Sequence, residues 1–245
     1  MPKPVKTPEF KTFFAPPKTD DISGHLHRQT VGALGFLLPL TLWCINLIRP
    51  TTDMEPVKPW DSISSYFYSG GGPVFTGVLF ALSVFMVTYR GYNNTSNKWD
   101  RILGVWAAIA AFCVAFFPTK SPLKMDVKNF LPSPPWVNDP TFIGQIHLIS
   151  ACALFTSFIA FSFIVFRSPK NLLSVFKFPK DGRDRLFYIA GILLAIFVLW
   201  AFIAGQSSQE IFWPESLALM TFGVSWLAKG KIDWTYQHLK RRLFH

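Results

Sequence analysis

The chain has 245 residues, of which half are hydrophobic and only 16% carry a charge. Soluble domains usually carry a charge on about a quarter of their residues, so this composition argues against a soluble globular protein. The formal net charge is +10, a value that also occurs in nucleic-acid-binding proteins. Here, however, the basic residues lie between long apolar runs, where membrane topology explains them. We therefore expect no nucleic-acid partner.

Residues 1–22 are rich in proline and contain no apolar run, which predicts a disordered cytoplasmic tail rather than a signal peptide. Six apolar runs follow, each long enough to cross a hydrocarbon core of about 30 Å. We predict an all-α membrane protein with one six-helix transmembrane domain over residues 23–230. The predicted spans are approximately Val31–Ile48, Gly72–Tyr89, Ile102–Pro118, Phe142–Phe166, Leu186–Ala204 and Ile211–Leu227.

The distribution of Lys and Arg predicts the orientation of these spans. The two terminal segments, the loop between spans two and three, and the loop between spans four and five together hold 19 of the 24 basic residues. Because cytoplasmic segments carry the excess of positive charge, both termini should be cytoplasmic, with the protein in the inner membrane. Residues 231–245 fit a basic amphipathic helix on the inner leaflet, although plain continuation of span six fits equally well.

Polar side chains within or beside the apolar runs are scarce and therefore informative. Ser64, Ser65 and Tyr66 belong to a hydroxyl-rich run that leads into span two. His147 and Glu215 lie only a few residues into spans four and six, which places them ~7 Å and ~6 Å below the outer interface at 1.5 Å per residue. We predict that these five side chains line a polar, outward-facing pocket.

The neighbouring residues on each helix predict the direction of His147 but not that of Glu215. At 100° per residue, Ser150 and Ser157 share the face of His147, and small hydroxyl residues mark helix contacts in membranes. His147 should therefore face the bundle. The face of Glu215 is mixed, because it combines Ala218 with Trp226, so its direction stays open.

Three functions are compatible with such a pocket. The first is binding or passage of a small polar ligand or a lipid headgroup. The second is a structural or interaction subunit of a membrane complex, whose polar groups only join helices. The third is an intramembrane hydrolase acting on a lipid, with Ser64 or Ser65 as nucleophile, His147 as base and Glu215 orienting it; the chain has no nucleophile-elbow motif. Expected partners are membrane lipid, a small polar ligand, and another membrane protein or a second copy.

Metal chemistry is not indicated by the histidines and cysteines. His25 and His27 precede the core of span one on the cytoplasmic side, as His238 and His245 follow span six, across the membrane from His147. Because three His or Cys ligands do not converge, a zinc centre is not expected. We expect neither a metal nor a cofactor.

Several short motifs occur in order along the chain: Ser62-Ile63-Ser64-Ser65-Tyr66, Tyr89-Arg90-Gly91-Tyr92, Phe117-Pro118-Thr119, His147, and Glu215 followed by Gly223, Trp226 and Lys229-Gly230. Together they resemble a group of uncharacterised bacterial six-span membrane proteins. This resemblance covers most of the chain after the tail and implies a fold but no established activity. A looser similarity is to the membrane hydrolase superfamily of alkaline ceramidases and progestin/adipoQ receptors, which also pair a serine-rich segment with a His and an acidic residue. The chain departs from them in having six spans instead of seven and no paired histidines near its end, so their metal-dependent amidase chemistry is not implied.

Overall fold

A computed structural model of the protein describes residues 22–48, 59–89, 98–120, 140–167 and 172–244. All regular secondary structure in these ranges is helical, as predicted. The predicted tail up to residue 21 lies outside them. The helices are α1 (Ile22–Ile48), a 3-10 helix (Ser64–Tyr68), α2 (Gly72–Thr88), α3 (Lys98–Phe116), α4 (Pro140–Ala160) with a π-helical continuation (Phe161–Val165), the one-turn α5 (Leu172–Val175), α6 (Gly182–Gln206) and α7 (Phe212–Phe244).

Each of the six predicted spans corresponds to a long helix. Three stretches are long and apolar enough to cross a membrane, namely Gly24–Ile48, Thr141–Val165 and Gly182–Gln206. They confirm the membrane character of the chain, whereas the count of six spans stays a prediction. Residues 231–244 continue α7 and do not form a separate helix, and their placement on a membrane surface stays a prediction.

The six long helices form a closed ring in the order α1, α2, α3, α4, α6, α7, with α7 returning to α1. The centre of the ring is filled by buried aromatic side chains. Phe158 of α4 stacks on Phe222 of α7 with ring centroids 3.6 Å apart, and Phe161 lies 5.3 Å from Trp226. We call these four fully buried residues the aromatic plug. The plug joins α4 and α7 across the ring.

The outside of the ring is apolar. On α6, Ile196, Leu199, Phe202 and Ile203 are each more than half exposed. Large apolar side chains exposed in such number on one helix would be costly in water. This surface is what a helix in contact with lipid presents.

Helices α1 and α7 approach each other closely where two glycines meet. A Cβ atom on Gly223 would lie 2.6 Å from the carbonyl oxygen of Gly32, and one on Gly32 would lie 2.7 Å from the carbonyl oxygen of Gly223. Because such distances leave no room for a side chain, glycine at both positions permits backbone contact between the helices.

The ring has two polar ends, which we name by their residues. The serine end carries the 3-10 helix, the last turn of α3 and the first turns of α4 and α7. The arginine end carries the buried residues Arg28 and Arg167. Arg167 follows the π-helical turn and donates to the carbonyl oxygens of Ser174, Val175 and Lys177 at 3.3, 2.6 and 3.1 Å, which holds the connection to α6 against the ring.

Candidate binding site

The serine-rich run forms its short helix through a local hydrogen bond. The backbone N–H of Ser65 donates to Ser62 Oγ at 2.9 Å, and the two serine hydroxyl oxygens lie 2.7 Å apart. A serine that accepts from a backbone N–H three residues later initiates a helical turn. The hydroxyl of Ser65 is therefore paired with Ser62.

Glu215 connects this run to the start of α7. The backbone N–H of Ile63, immediately before the 3-10 helix, donates to Glu215 Oε2 at 2.7 Å. A second bond joins the same two segments, because the backbone N–H of Ile211 donates to the carbonyl oxygen of Asp61 at 2.7 Å. Glu215 thus accepts from a donor that precedes the 3-10 helix, and it positions the serine-rich run.

The opposite side of the run is connected to the end of α3. The hydroxyl of Tyr68 donates to the carbonyl oxygen of Thr119 at 2.6 Å. His147 Nδ1 lies 2.6 Å from the carbonyl oxygen of Phe117. Because a carbonyl oxygen can only accept, Nδ1 carries the proton in this bond and Nε2 of the neutral ring carries the lone pair.

The second nitrogen of His147 is buried without a hydrogen-bond partner in the described part of the chain. The side chain is only 3% exposed, and among the described residues Nε2 has no hydrogen-bond partner. A buried polar atom without a partner costs on the order of 1–3 kcal/mol. Its environment therefore favours any group that can donate a hydrogen bond to it.

The positions of His147 and Glu215 along the helix axes follow from the register of α4 against α7 in the aromatic plug. Phe158 contacts Phe222 and, three to four residues further along both helices, Phe161 contacts Trp226. Helices α4 and α7 therefore run in the same direction. Counting back in this register places His147 level with Phe212, which is one helical turn, ~5 Å, nearer the serine end than Glu215. The two groups thus occupy adjacent levels, not the single level that the sequence predicts.

Both ionisable side chains lie on helix faces that point into the ring. His147 lies eleven residues, about three turns, from Phe158, and Glu215 lies seven residues, about two turns, from Phe222. Residues at these spacings share a helix face, and both phenylalanines are fully buried. The direction of Glu215, which the sequence left open, is therefore inward.

Two further serines near these levels are buried. Ser150 lies on α4 and Ser216 on α7, and Ser216 is two turns from Gly223, on the face of α7 that contacts α1. The ring of Tyr66 packs against Phe212 with centroids 5.8 Å apart. Within the described ranges, Ser216 Oγ has no hydrogen-bond partner, and the Tyr66 hydroxyl has only a weak contact with the backbone N–H of Trp60.

We use the term interior site for His147, Tyr66 and Glu215. Tyr66 is 1% exposed, and burial raises the pKa of its hydroxyl, with a smaller opposing effect from the backbone of Trp60. The hydroxyl therefore stays neutral and can both donate and accept. The site combines one carboxylate, one imidazole and one hydroxyl, on the serine-end side of the aromatic plug.

The remaining predicted residue, Ser64, is half-buried in the 3-10 helix. Among the hydrogen bonds of the described residues, none joins a serine to His147 or His147 to Glu215. The bonds that a Ser-His-Glu hydrolase would require are therefore replaced by bonds to backbone groups. Tyr68 belongs to the hydroxyl-rich run that the sequence singled out, although it was not among the predicted site residues. Ser216 did not emerge from the sequence; its signal was its position four residues after Phe212, on the same buried face.

The described part of the chain contains no group of three or more His, Cys, Asp or Glu residues that could hold a metal ion. No family model matches the chain, and comparisons with curated proteins and with solved structures found no significant similarity. The function must therefore be argued from the interior site alone.

Proposed function

We propose that the protein is a six-span inner-membrane protein with both termini in the cytoplasm, and that its interior site binds or passes a small polar ligand or a lipid headgroup from the outer side. The apolar exterior of the helix ring supports membrane insertion. The concentration of Lys and Arg in alternate loops supports the orientation, which places the serine end outside.

The observation that carries this proposal is the buried, unpartnered Nε2 of His147. A purely structural role accounts for His147 Nδ1, Tyr68 and Glu215, because each bonds to a backbone group that would otherwise lack a partner. It does not account for Nε2. A polar ligand that donates a hydrogen bond to Nε2 would satisfy this atom.

Thermal unfolding of the purified full-length protein, with and without a panel of lipid headgroups and small polar solutes, tests this proposal. At least one compound should raise the unfolding midpoint of the wild type, because a ligand that binds only the folded state stabilises it. His147→Gln should lose this shift. His27→Gln is the matched control, since His27 Nε2 also bonds to a backbone carbonyl, that of Phe85 at 2.8 Å, but at the arginine end.

The structural alternative makes a different prediction in the same experiment. If the interior site only joins helices, no compound should shift the wild type, and His147→Gln should lower the unfolding midpoint without any ligand. A shift that His147→Gln retains would also contradict the proposal, because the compound would then bind elsewhere.

A further inference from the structure

The polar atoms of the interior site are dominated by hydrogen-bond acceptors. His147 Nε2 presents a lone pair, because Nδ1 holds the ring proton in its bond to Phe117. Glu215 uses Oε2 for the backbone of Ile63, and a carboxylate has further lone pairs on its second oxygen. The hydroxyl of Tyr66 can accept as well as donate. A ligand that fits this set must supply several donors.

The charges near the serine end have the same sign as Glu215. Asp61 and Glu210 lie in the segments beside the start of α7, and the described residues at this end include only one basic residue, Lys120, which is exposed. The basic residues of α1, α3, α6 and α7 that the structure describes lie toward the arginine end. Among the described residues of the serine end, no buried cation is available to pair with an anionic group, whose desolvation there would be costly.

We propose that the interior site selects a protonated primary amine, held by Glu215 and donating to His147 Nε2 and the Tyr66 hydroxyl. An ammonium group has three N–H donors and one positive charge, which matches one carboxylate and two neutral acceptors. This inference rests on the proposed binding function and specifies its ligand class. The amine could belong to a free solute or to an ethanolamine lipid headgroup, which share this chemistry.

The test for the lipid source uses native mass spectrometry of the full-length protein with phosphatidylethanolamine, phosphatidylcholine and phosphatidylglycerol in equal amounts. Phosphatidylcholine carries a positive charge without an N–H donor, and phosphatidylglycerol carries no cation. The wild type should retain phosphatidylethanolamine about tenfold more than either, since a charge-assisted hydrogen bond contributes at least that factor. For the soluble source, ethanolamine alone should raise the unfolding midpoint, whereas choline should not.

Glu215→Gln removes the charge of Glu215 but keeps an acceptor for the backbone N–H of Ile63. The glutamine side chain still offers an oxygen to the backbone N–H of Ile63, so the 3-10 helix keeps its connection to α7. The variant should unfold near the wild-type temperature but lose about tenfold of the preference for the amine, because the charge assistance is removed. Glu210→Gln is the control, since Glu210 is an exposed carboxylate at the same end.

The outcomes distinguish this inference from the proposed function. Equal retention of the ethanolamine and choline lipids, preference for phosphatidylglycerol, or an unchanged preference in Glu215→Gln would overturn amine selection. If one of these results occurs but a ligand still raises the unfolding midpoint of the wild type and not that of His147→Gln, the proposed binding function is retained. If neither lipids nor ethanolamine affect the wild type, and the wider headgroup panel also fails, both proposals are overturned.

Discussion

At the residue scale, Glu215 positions the serine-rich run, because its Oε2 accepts from the backbone N–H of Ile63, and its charge is the feature on which the proposed amine selection depends. Glu215→Ala would leave the Ile63 N–H without its acceptor, and we expect a loss of about 1–3 kcal/mol in the free energy of unfolding. For a protein of this size, that corresponds to a fall of several degrees in the unfolding midpoint. Thermal unfolding of Glu215→Ala and Glu215→Gln in the same detergent measures it.

Comparing Glu215→Ala with Glu215→Gln tests whether the hydrogen bond to Ile63 positions the serine-rich run. Glu215→Gln should remain within about a degree of the wild type, because it preserves the hydrogen bond that contributes most of the stability. Equal destabilisation of both variants, or none in either, would show that the bond to Ile63 does not hold the run in place.

Asp100 provides a pH-dependent prediction at the arginine end. It lies two residues before the predicted third span, and burial raises its pKa to about 6 although Lys229 and Arg28 lower it. A folded-state pKa above the model value of 3.8 means that ionisation is easier in the unfolded chain. The contribution of Asp100 to stability is therefore greatest at low pH and falls as the pH rises from about 4 to about 6.

Asp100→Asn removes this titration. Relative to the wild type, the variant should gain stability as the pH rises through that window and then keep a constant advantage above about pH 6. Unfolding midpoints of both proteins measured between pH 4 and pH 8 give the difference, in which the other titrating groups cancel. A difference that stays flat, or that turns against Asp100→Asn at high pH, would show that pairing with Lys229 and Arg28 outweighs burial.

At the scale of the helices, the contact between α1 and α7 depends on two glycines. Gly223→Ala would place a methyl group 2.6 Å from the Gly32 carbonyl oxygen, so the helices must separate. We expect a cost of about 1–3 kcal/mol from this overpacking, measured as a lower unfolding midpoint. Gly77→Ala is the control, because no atom lies within 4 Å of the added methyl group and alanine favours a helix by about 0.5–1 kcal/mol.

A lower unfolding midpoint for Gly223→Ala together with a higher one for Gly77→Ala would establish that α1 and α7 are in backbone contact at Gly223. If Gly223→Ala unfolded at or above the wild-type midpoint, α1 and α7 would not be in backbone contact at this position, and the ring order would need revision.

The positions of the helices were largely predictable from hydropathy, but their ends were not. Span one was expected to start at Val31, whereas α1 begins at Ile22. The difference arises because His25 and Arg28 are buried against other helices, while a hydropathy pattern counts such residues as interfacial. The pattern records the cost of a polar side chain in lipid but contains no information about partners that come from distant parts of the chain.

The interior site was predictable in its residue types and only partly in its geometry. The serine-rich face around His147 correctly indicated an inward direction, because small hydroxyl residues favour helix contacts. The hydrogen-bond partners of His147, Tyr68 and Glu215 are backbone groups of Phe117, Thr119 and Ile63. Every residue carries such groups, so nothing in the sequence distinguishes these three.

For the whole molecule, orientation in the membrane is the property on which the proposed function depends. In a variant without Cys44, Cys113 and Cys152, a single cysteine at Gln209 should react with a membrane-impermeant maleimide on intact cells. One at Lys180 should react only after the membrane is permeabilised, because basic loops remain in the cytoplasm. Both positions are exposed. The reverse pattern would place the interior site on the cytoplasmic side.

The most direct measurement is an experimental density map of the full-length protein in a lipid bilayer, examined around the imidazole of His147. Binding at the interior site predicts density that is not protein within about 3.2 Å of Nε2, between α4 and α7 and above the Phe158–Phe222 stack. A map in which Nε2 bonds to a side chain of the protein itself, or in which the imidazole faces lipid, would contradict it.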